Sequence, residues 1–154
     1  RSPRINRAEP AQAVNLGPGA CTEAYDGIVG TQNFIWPVGS HYLVGYGFDP
    51  GANHFALDLA GAQGEPVIAA DSGVVVYAGW SDWGYGNMVV LDHGSGWQTL
   101  YAHLSVIAVS CGQEVYQGAE IGLVGDTGNA SVPQLHFEMR SDEFGRVNPW
   151  DFLN

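Results

Sequence analysis

Two stretches of this chain alternate apolar and polar residues with period two. In Gln134-Leu135-His136-Phe137-Glu138-Met139-Arg140, the residues Leu135, Phe137 and Met139 form an apolar face. Gln134, His136, Glu138 and Arg140 form the opposite face, and all four can hydrogen-bond or ligate. In His54-Phe55-Ala56-Leu57-Asp58-Leu59-Ala60, Phe55, Leu57 and Leu59 point one way, and His54, Ala56, Asp58 and Ala60 the other. Such alternation predicts half-buried β-strands rather than helices. The small alanines leave space beside a His and an Asp. The two strands are therefore expected to face each other and to hold one metal ion between His54, Asp58 and His136.

The remaining pattern is one of short apolar runs cut by glycine-rich turns. Residues 73–79, 87–92 and 97–104 read as strands rich in β-branched and aromatic residues. Residues 33–38 read as a short edge strand, because Pro37 interrupts it. Residues 42–50 and 80–86 read as aromatic, glycine-rich loops, and 112–125 as a hairpin pair. Residues 126–133 form a turn-rich loop that delivers the chain to Gln134, and 147–153 fold aromatics back onto the domain. No amphipathic helical pattern is convincing. The prediction is an all-β, largely antiparallel sandwich or barrel-like sheet with long loops forming a groove over the metal site. Residues 1–26 lack usable periodicity and read as an N-terminal tail or linker, with the domain in residues 27–154.

Composition narrows this picture. The chain has 154 residues, 45% hydrophobic and 14% charged, which suits one globular domain with a sizeable core. Its 22 glycines and 8 prolines agree with many turns. No apolar run approaches the roughly 20 residues of a membrane helix, so membrane insertion is not expected. The formal net charge is -11, with no lysine, and three of the five arginines are Arg1, Arg4 and Arg7. Such a surface is expected to repel nucleic acid and anionic membranes, and its main role is read as solubility. Cys21 and Cys111 are too far apart for a metal or redox motif. A disulfide between them is the preferred reading, and two separate buried thiols are the alternative. The disulfide would close a loop of about 90 residues, imply an oxidising extracytoplasmic setting, and stabilise by roughly 4–5 kcal/mol.

Two imidazoles and one carboxylate form a catalytic zinc set with one open position. Spacing alone argues weakly for it. On an extended strand, residues i and i+4 lie about 13 Å apart. His54 and Asp58 can share an ion only if the chain bends between them or they sit at a strand end.

Several short motifs occur in a fixed order. They are Trp36-Pro37-Val38; His54-x-x-x-Asp58 with Leu59-Ala60; Pro66-Val67-x-Ala69-Ala70-x-x-Gly73-x-Val75; Gly84-Tyr85-Gly86-Asn87; Asp92-His93-Gly94; Leu100-Tyr101-Ala102-His103-Leu104-Ser105; Gly128-Asn129; Leu135-His136-Phe137-Glu138; and Asn148-Pro149. Together they make residues 36–153 resemble the LytM/lysostaphin-type zinc metalloendopeptidases that cut peptidoglycan peptides. The resemblance implies one zinc ion on His54, Asp58 and His136, with His103 beside the reacting water. It also implies a bacterial protein that is secreted or lies in the periplasm or cell envelope and acts on peptidoglycan peptide; a monomer is expected, although the sequence itself does not give the oligomeric state. One departure matters: the family's final motif reads His-Leu-His, and its first histidine, an active-site group, is here Gln134. Ala56 stands where glycine is usual. Glutamine can orient a water but cannot shuttle a proton near neutral pH. The resemblance thus leaves a zinc endopeptidase impaired by Gln134, or a non-catalytic zinc-containing domain that binds wall peptide or regulates another hydrolase.

Other residues carry two readings each. His93 is a turn residue bonding backbone, or a ligand. His41 lies in a loop, or lines the groove. Glu138 supports His136 by hydrogen bonding, or acts as a base. Asn53 and Tyr101 are candidate substrate contacts. Trp80, Trp83 and Tyr85 form either a rim for a glycan or peptide, or a packed loop.

Overall fold

The computed structural model describes residues 4–7, 21 and 25–154. Twelve strands occur among them: β1 Arg4–Arg7, β2 Tyr25–Ile28, β3 Leu57–Ala60, β4 Pro66–Ile68, β5 Gly73–Ser81, β6 Gly86–Gly94, β7 Trp97–Leu104, β8 Val106–Ile107, β9 Glu114–Val115, β10 Glu120–Leu123, β11 Gln134–Ser141 and β12 Gly145–Val147. Among the described residues the helical elements are two single 3₁₀ turns, Pro50–Ala52 and Pro149–Asp151. Every strand pair is antiparallel.

The main sheet runs β12-β11-β7-β6-β5-β9, with β3 also against β11. One edge of β11 is thus shared: β3 pairs with Gln134 to Phe137, and β12 with Met139 to Ser141. A smaller sheet, β4-β10-β8, lies apart from this path. The expected all-β, largely antiparallel class holds, and the sheet does not close into a barrel.

The apolar alternation of β11 does what it predicts. Leu135, Phe137 and Met139 are fully buried in one cluster with Phe34, Leu57, Leu59, Val89, Leu91, Tyr101 and Ile121. Fully burying side chains of this size stabilises by about 1.5–3 kcal/mol each. The opposite face of β5, β6 and β7 carries a second, smaller apolar cluster of Val76, Tyr77, Met88, Val90, Leu100 and Ala102.

Several expectations change. The two strands expected to hold the metal do not face each other across a gap; they are neighbours in one sheet, with Asp58 directly opposite His136 and Ala60 opposite Gln134. The first is shorter than its pattern, because regular pairing starts only at Leu57. Phe55 therefore leaves the apolar face and packs edge-on against Phe48. Residues 33–38 form no strand, although Ile35 N–H donates to Ala70 and Ile68 N–H to the Pro37 carbonyl. Residues 112–125 are not a hairpin: β9 joins β5, whereas β10 joins β4 and β8. The aromatic loop 80–86 is shorter than expected: β5 continues to Ser81 and β6 begins at Gly86, which leaves residues 82–85 as the turn between them.

Much of the N-terminal segment 1–26 lies outside the described residues, but its Arg4–Arg7 pairs with Tyr25–Ile28, which crosses the expected boundary at residue 26. Cys21 is bonded to Cys111, with Cα atoms 5.8 Å apart, and its N–H donates to the Val76 carbonyl.

Candidate metal centre

Asp58 and His136 meet because they occupy one rung of the β3–β11 ladder on the same face. On the other side of His136 the rung is filled by Ala102 of β7, whose small side chain leaves room above the sheet. His54 joins them from outside the strand. The 3₁₀ turn Pro50–Ala52 is bracketed by paired hydrogen bonds between the backbones of Asp49 and His54. This turns His54 back, so that its Nε2 lies 3.2 Å from Asp58 Oδ2. The bend that the i, i+4 spacing demanded is present. Ligand atoms of His54, Asp58 and His136 all lie within 4.8 Å of one another.

Each imidazole is oriented by a second partner. His54 Nδ1 lies 2.7 Å from the Gly47 carbonyl, an acceptor, so Nδ1 carries the proton and Nε2 offers its lone pair. His136 Nδ1 lies 2.9 Å from Asp58 Oδ1, and its Nε2 lies 2.8 Å from Glu138 Oε2. Glu138 also accepts from the Tyr85 hydroxyl at 2.9 Å and from Arg140 Nε at 2.9 Å. Glu138 is thus a support for His136, held by an arginine and a tyrosine.

The electrostatics follow from these contacts. Burial works against a charged His136, but the hydrogen bonds and charges of Asp58 and Glu138 outweigh it and raise its pKa to about 9. Burial would raise Glu138, yet His136 and Arg140 hold it down at about 2. Burial would raise Asp58 as well, and His136 reverses this to keep the carboxyl below its usual range. Burial, then Glu138, pushes the Tyr85 hydroxyl up to about 12, so it remains a donor. Without metal the centre is a protonated imidazole between two carboxylates. A cation taking the place of the Nδ1 proton would leave Nε2–H on Glu138, the carboxylate–histidine arrangement that supports metal-bound imidazoles. The donor set and its spacing fit a zinc ion with an open position.

His103 reaches this face by an irregularity. Tyr101 pairs with Val89 and Leu104 with Asn87, so Ala102 and His103 together oppose the single residue Met88. His103 has φ 64, the left-handed conformation of a bulge residue. Strict alternation would send His103 into the core beside Tyr101; the bulge returns it to the His136 side, with ring centroids 5.6 Å apart. Its Nδ1 lies 2.7 Å from the Thr127 carbonyl, so Nδ1 is the protonated nitrogen and Nε2 is free to accept. Burial, then the charge of His136, lowers its pKa, so it is neutral near pH 7. The Thr127 carbonyl is fixed by two glycines with left-handed φ, Gly86 and Gly128, whose backbones touch; a Cβ on Gly128 would lie 2.5 Å from Gly86 N.

Gln134 is buried beside Asp58, its Nε2 3.4 Å from the Val132 carbonyl. A cavity of about 600 Å³ above these groups is lined by His54, Asp58, His103, Gln134 and His136, with Asn53, Phe55, Trp83, Tyr85, Asn129 and Arg146 among the walls. Tyr46 N–H donates to Asp58 Oδ2, bringing segment 42–46 against the site.

The other candidates divide. Asn53, exposed and with φ 56, is at the cavity. Tyr101 is not. Its side chain is 0% exposed, and its hydroxyl accepts from Ala70 N–H and bonds Thr99, so it belongs to the core side. His93 is buried and bonds the Ser72 carbonyl and Thr99. His41 stacks on Trp36, away from the centre, in a separate hollow. Trp80 is bonded to Asp82 and lies outside the main cavity. Tyr85, read from sequence as either a rim residue or part of a packed loop, proves to be a partner of Glu138, and no local signal announces that contact. Arg140 could have been found, since it shares the polar face of β11 with His136 and Glu138.

The profile of peptidase family M23 matches residues 52–149, which include His54, Asp58, His103, Gln134 and His136. The cell division protein DipM of Caulobacter vibrioides is 40% identical over 122 residues, 79% of this chain and 20% of DipM. The murein hydrolase activator NlpD of Escherichia coli is 37% identical over 118 residues, 77% of this chain and 30% of NlpD. The chain therefore spans less than a third of these relatives. Among solved structures, the catalytic domain of the antimicrobial peptidase lysostaphin from Staphylococcus simulans superposes with a TM-score of 0.66 at 35% identity, over 70% of this chain and 89% of that domain.

Proposed function

The chain belongs to peptidase family M23, and from that premise we infer that it is a zinc-dependent endopeptidase domain acting on peptide cross-links of bacterial peptidoglycan. The observation that carries this reading is the convergence of His54, Asp58 and His136 within 4.8 Å at the floor of an open cavity. These three residues would hold the metal. Zinc bound there supplies a Lewis acid that polarises a scissile carbonyl and brings the pKa of water towards about 7. The protein's own groups do the rest. His103, neutral and with Nε2 free, accepts a proton from the attacking water and returns it to the leaving amine. Gln134 can donate a hydrogen bond to the carbonyl oxygen or orient the water, but it moves no proton. Glu138, Tyr85 and Arg140 hold His136 in one tautomer. Asn53 stands where it can bond a peptide backbone.

A second reading rests on Gln134 and on the name of one relative, a murein hydrolase activator. In it the domain binds wall peptide without cutting it and regulates another hydrolase. In either case the setting is extracytoplasmic, in keeping with the Cys21–Cys111 disulfide.

Release of new amino termini from purified peptidoglycan by the zinc-loaded protein separates the readings. Turnover that falls by about 10²–10⁴ in His103→Ala supports the endopeptidase with one acid–base histidine. A silent native chain with an active Gln134→His variant makes the present sequence a binding form. Silence in all of these on varied wall preparations, with zinc retained, overturns the endopeptidase reading in favour of the regulatory one.

A further inference from the structure

The cavity contains one cation that the chemistry above does not use. Arg146 lies on β12, directly opposite Arg140 in the ladder. Like charges facing each other across a ladder are destabilising. Arg140 is neutralised by Glu138, whereas Arg146 has no hydrogen bond or carboxylate partner among the described residues. Its guanidinium instead sits over the Phe55 ring, 4.6 Å from the centroid, beside the ligand His54 and at the wall of the metal cavity. Stacking of this kind holds a guanidinium in place while leaving its N–H edge free for an anion. The two acids of the cavity, Asp58 and Glu138, are already occupied by His136 and Arg140. Arg140 and Arg146 are the only basic Lys or Arg side chains in residues 25–154 of a chain whose net charge is -11. An exposed arginine at the groove of so acidic a protein, with no carboxylate partner among the described residues, presents its N–H edge to whatever anion enters.

We propose that Arg146 is a specificity residue that pairs with a free carboxylate of the peptide lying in the groove, so that the preferred substrates are acidic peptides rather than their amidated forms. This rests on the wall-peptide reading above. The carboxylate can come from a side chain or from a peptide C-terminus, and both present the planar acceptor that a guanidinium binds in bidentate fashion.

The test is binding, so it does not depend on turnover. Synthetic cross-linked wall peptides with both carboxylates free, with only the side-chain carboxylate amidated, or with only the C-terminal one amidated are titrated into the zinc-loaded protein and into Arg146→Ala. The native protein prefers the fully acidic peptide by roughly five-fold, about 1 kcal/mol by the affinity relation. The preference shrinks in high salt. Arg146→Ala removes it while binding the amidated peptide as before, and the amidation that mimics the variant identifies the source. Equal binding of all three peptides by the native protein, or a preference that survives in Arg146→Ala, overturns the assignment and leaves the wall-peptide reading standing. Binding of no peptide overturns both.

Discussion

The two faces of β11 are built from one strand of eight residues, yet they do unrelated jobs. The face bearing Leu135, Phe137 and Met139 is fully buried, packs against Leu57, Leu59 and Tyr101, and holds the sheet to the rest of the core. The face bearing Gln134, His136, Glu138 and Arg140 is also largely buried, but every group on it is polar, and His136, Glu138 and Arg140 form one continuous chain of hydrogen bonds with Asp58 and Tyr85. The difference is instructive. On the first face a residue matters through its volume, so neighbours of similar size can replace it. On the second it matters through its donors and acceptors, and removing one leaves another charge unpaired in a buried place.

Substitutions can break this comparison if one face does the work of the other. The largest effect belongs to Asp58→Ala, which removes one of the three proposed metal-holding groups and the acceptor of His136 Nδ1–H. It is expected to abolish stoichiometric zinc binding, read by metal analysis after dialysis against zinc. Retention of one zinc per chain would show that these residues are not the metal set. Next comes Phe137→Ala on the other face. It should cost about 3–5 kcal/mol of unfolding free energy in a denaturant titration, while the folded fraction keeps its zinc affinity. A large loss of affinity in the folded fraction would mean that the faces are coupled.

Glu138→Gln sharpens the distinction within the polar face. Glutamine keeps an acceptor for His136 Nε2–H but loses the charge that Arg140 balances. Supporting partners of metal-bound histidines contribute about 10–100-fold in affinity, so a competition titration should move towards the lower end of that range, with Glu138→Leu further. No change in either variant would demote Glu138 to packing.

The smallest effect is one of pH on the metal-free protein. His136 is raised from 6.5 to about 9 by folding, so its contribution to stability is fully present below about 6.5 and is lost as pH rises through about 9. Glu138, depressed to about 2, contributes evenly across that window. The melting temperature of the zinc-free protein should therefore fall between pH 6.5 and 9, and His136→Gln should flatten the slope. An unchanged melting temperature would argue against a charged His136 in the metal-free fold.

How far the sequence could be read varies with how local the information is. The apolar alternation of residues 134–140 needs only the two-residue period of a strand, and burial of Leu135, Phe137 and Met139 follows it. The pairing of Cys21 with Cys111 was legible as a preference because few other roles suit two distant cysteines in such a chain. Phe55 and His103 escaped the same logic. The Phe55 alternation fails because the turn before β3 breaks the strand one residue later, and the His103 alternation fails because of a bulge opposite Met88. Both irregularities bring a side chain to the cavity, and both arise from pairing with distant strands that no local pattern encodes.

By itself the sequence determined the strand period, the all-β class, the acidic surface and the residue types able to hold a metal, because each depends on composition or on near neighbours. Tertiary structure alone decided that β3 lies beside β11 rather than across from it. It placed Asp58 on the His136 rung, turned His103 to the His136 side and Tyr101 to the core, and set Arg146 over Phe55 at the groove, with no carboxylate partner among the described residues. Those outcomes depend on register, and register is set by which distant strands can bury their apolar faces together.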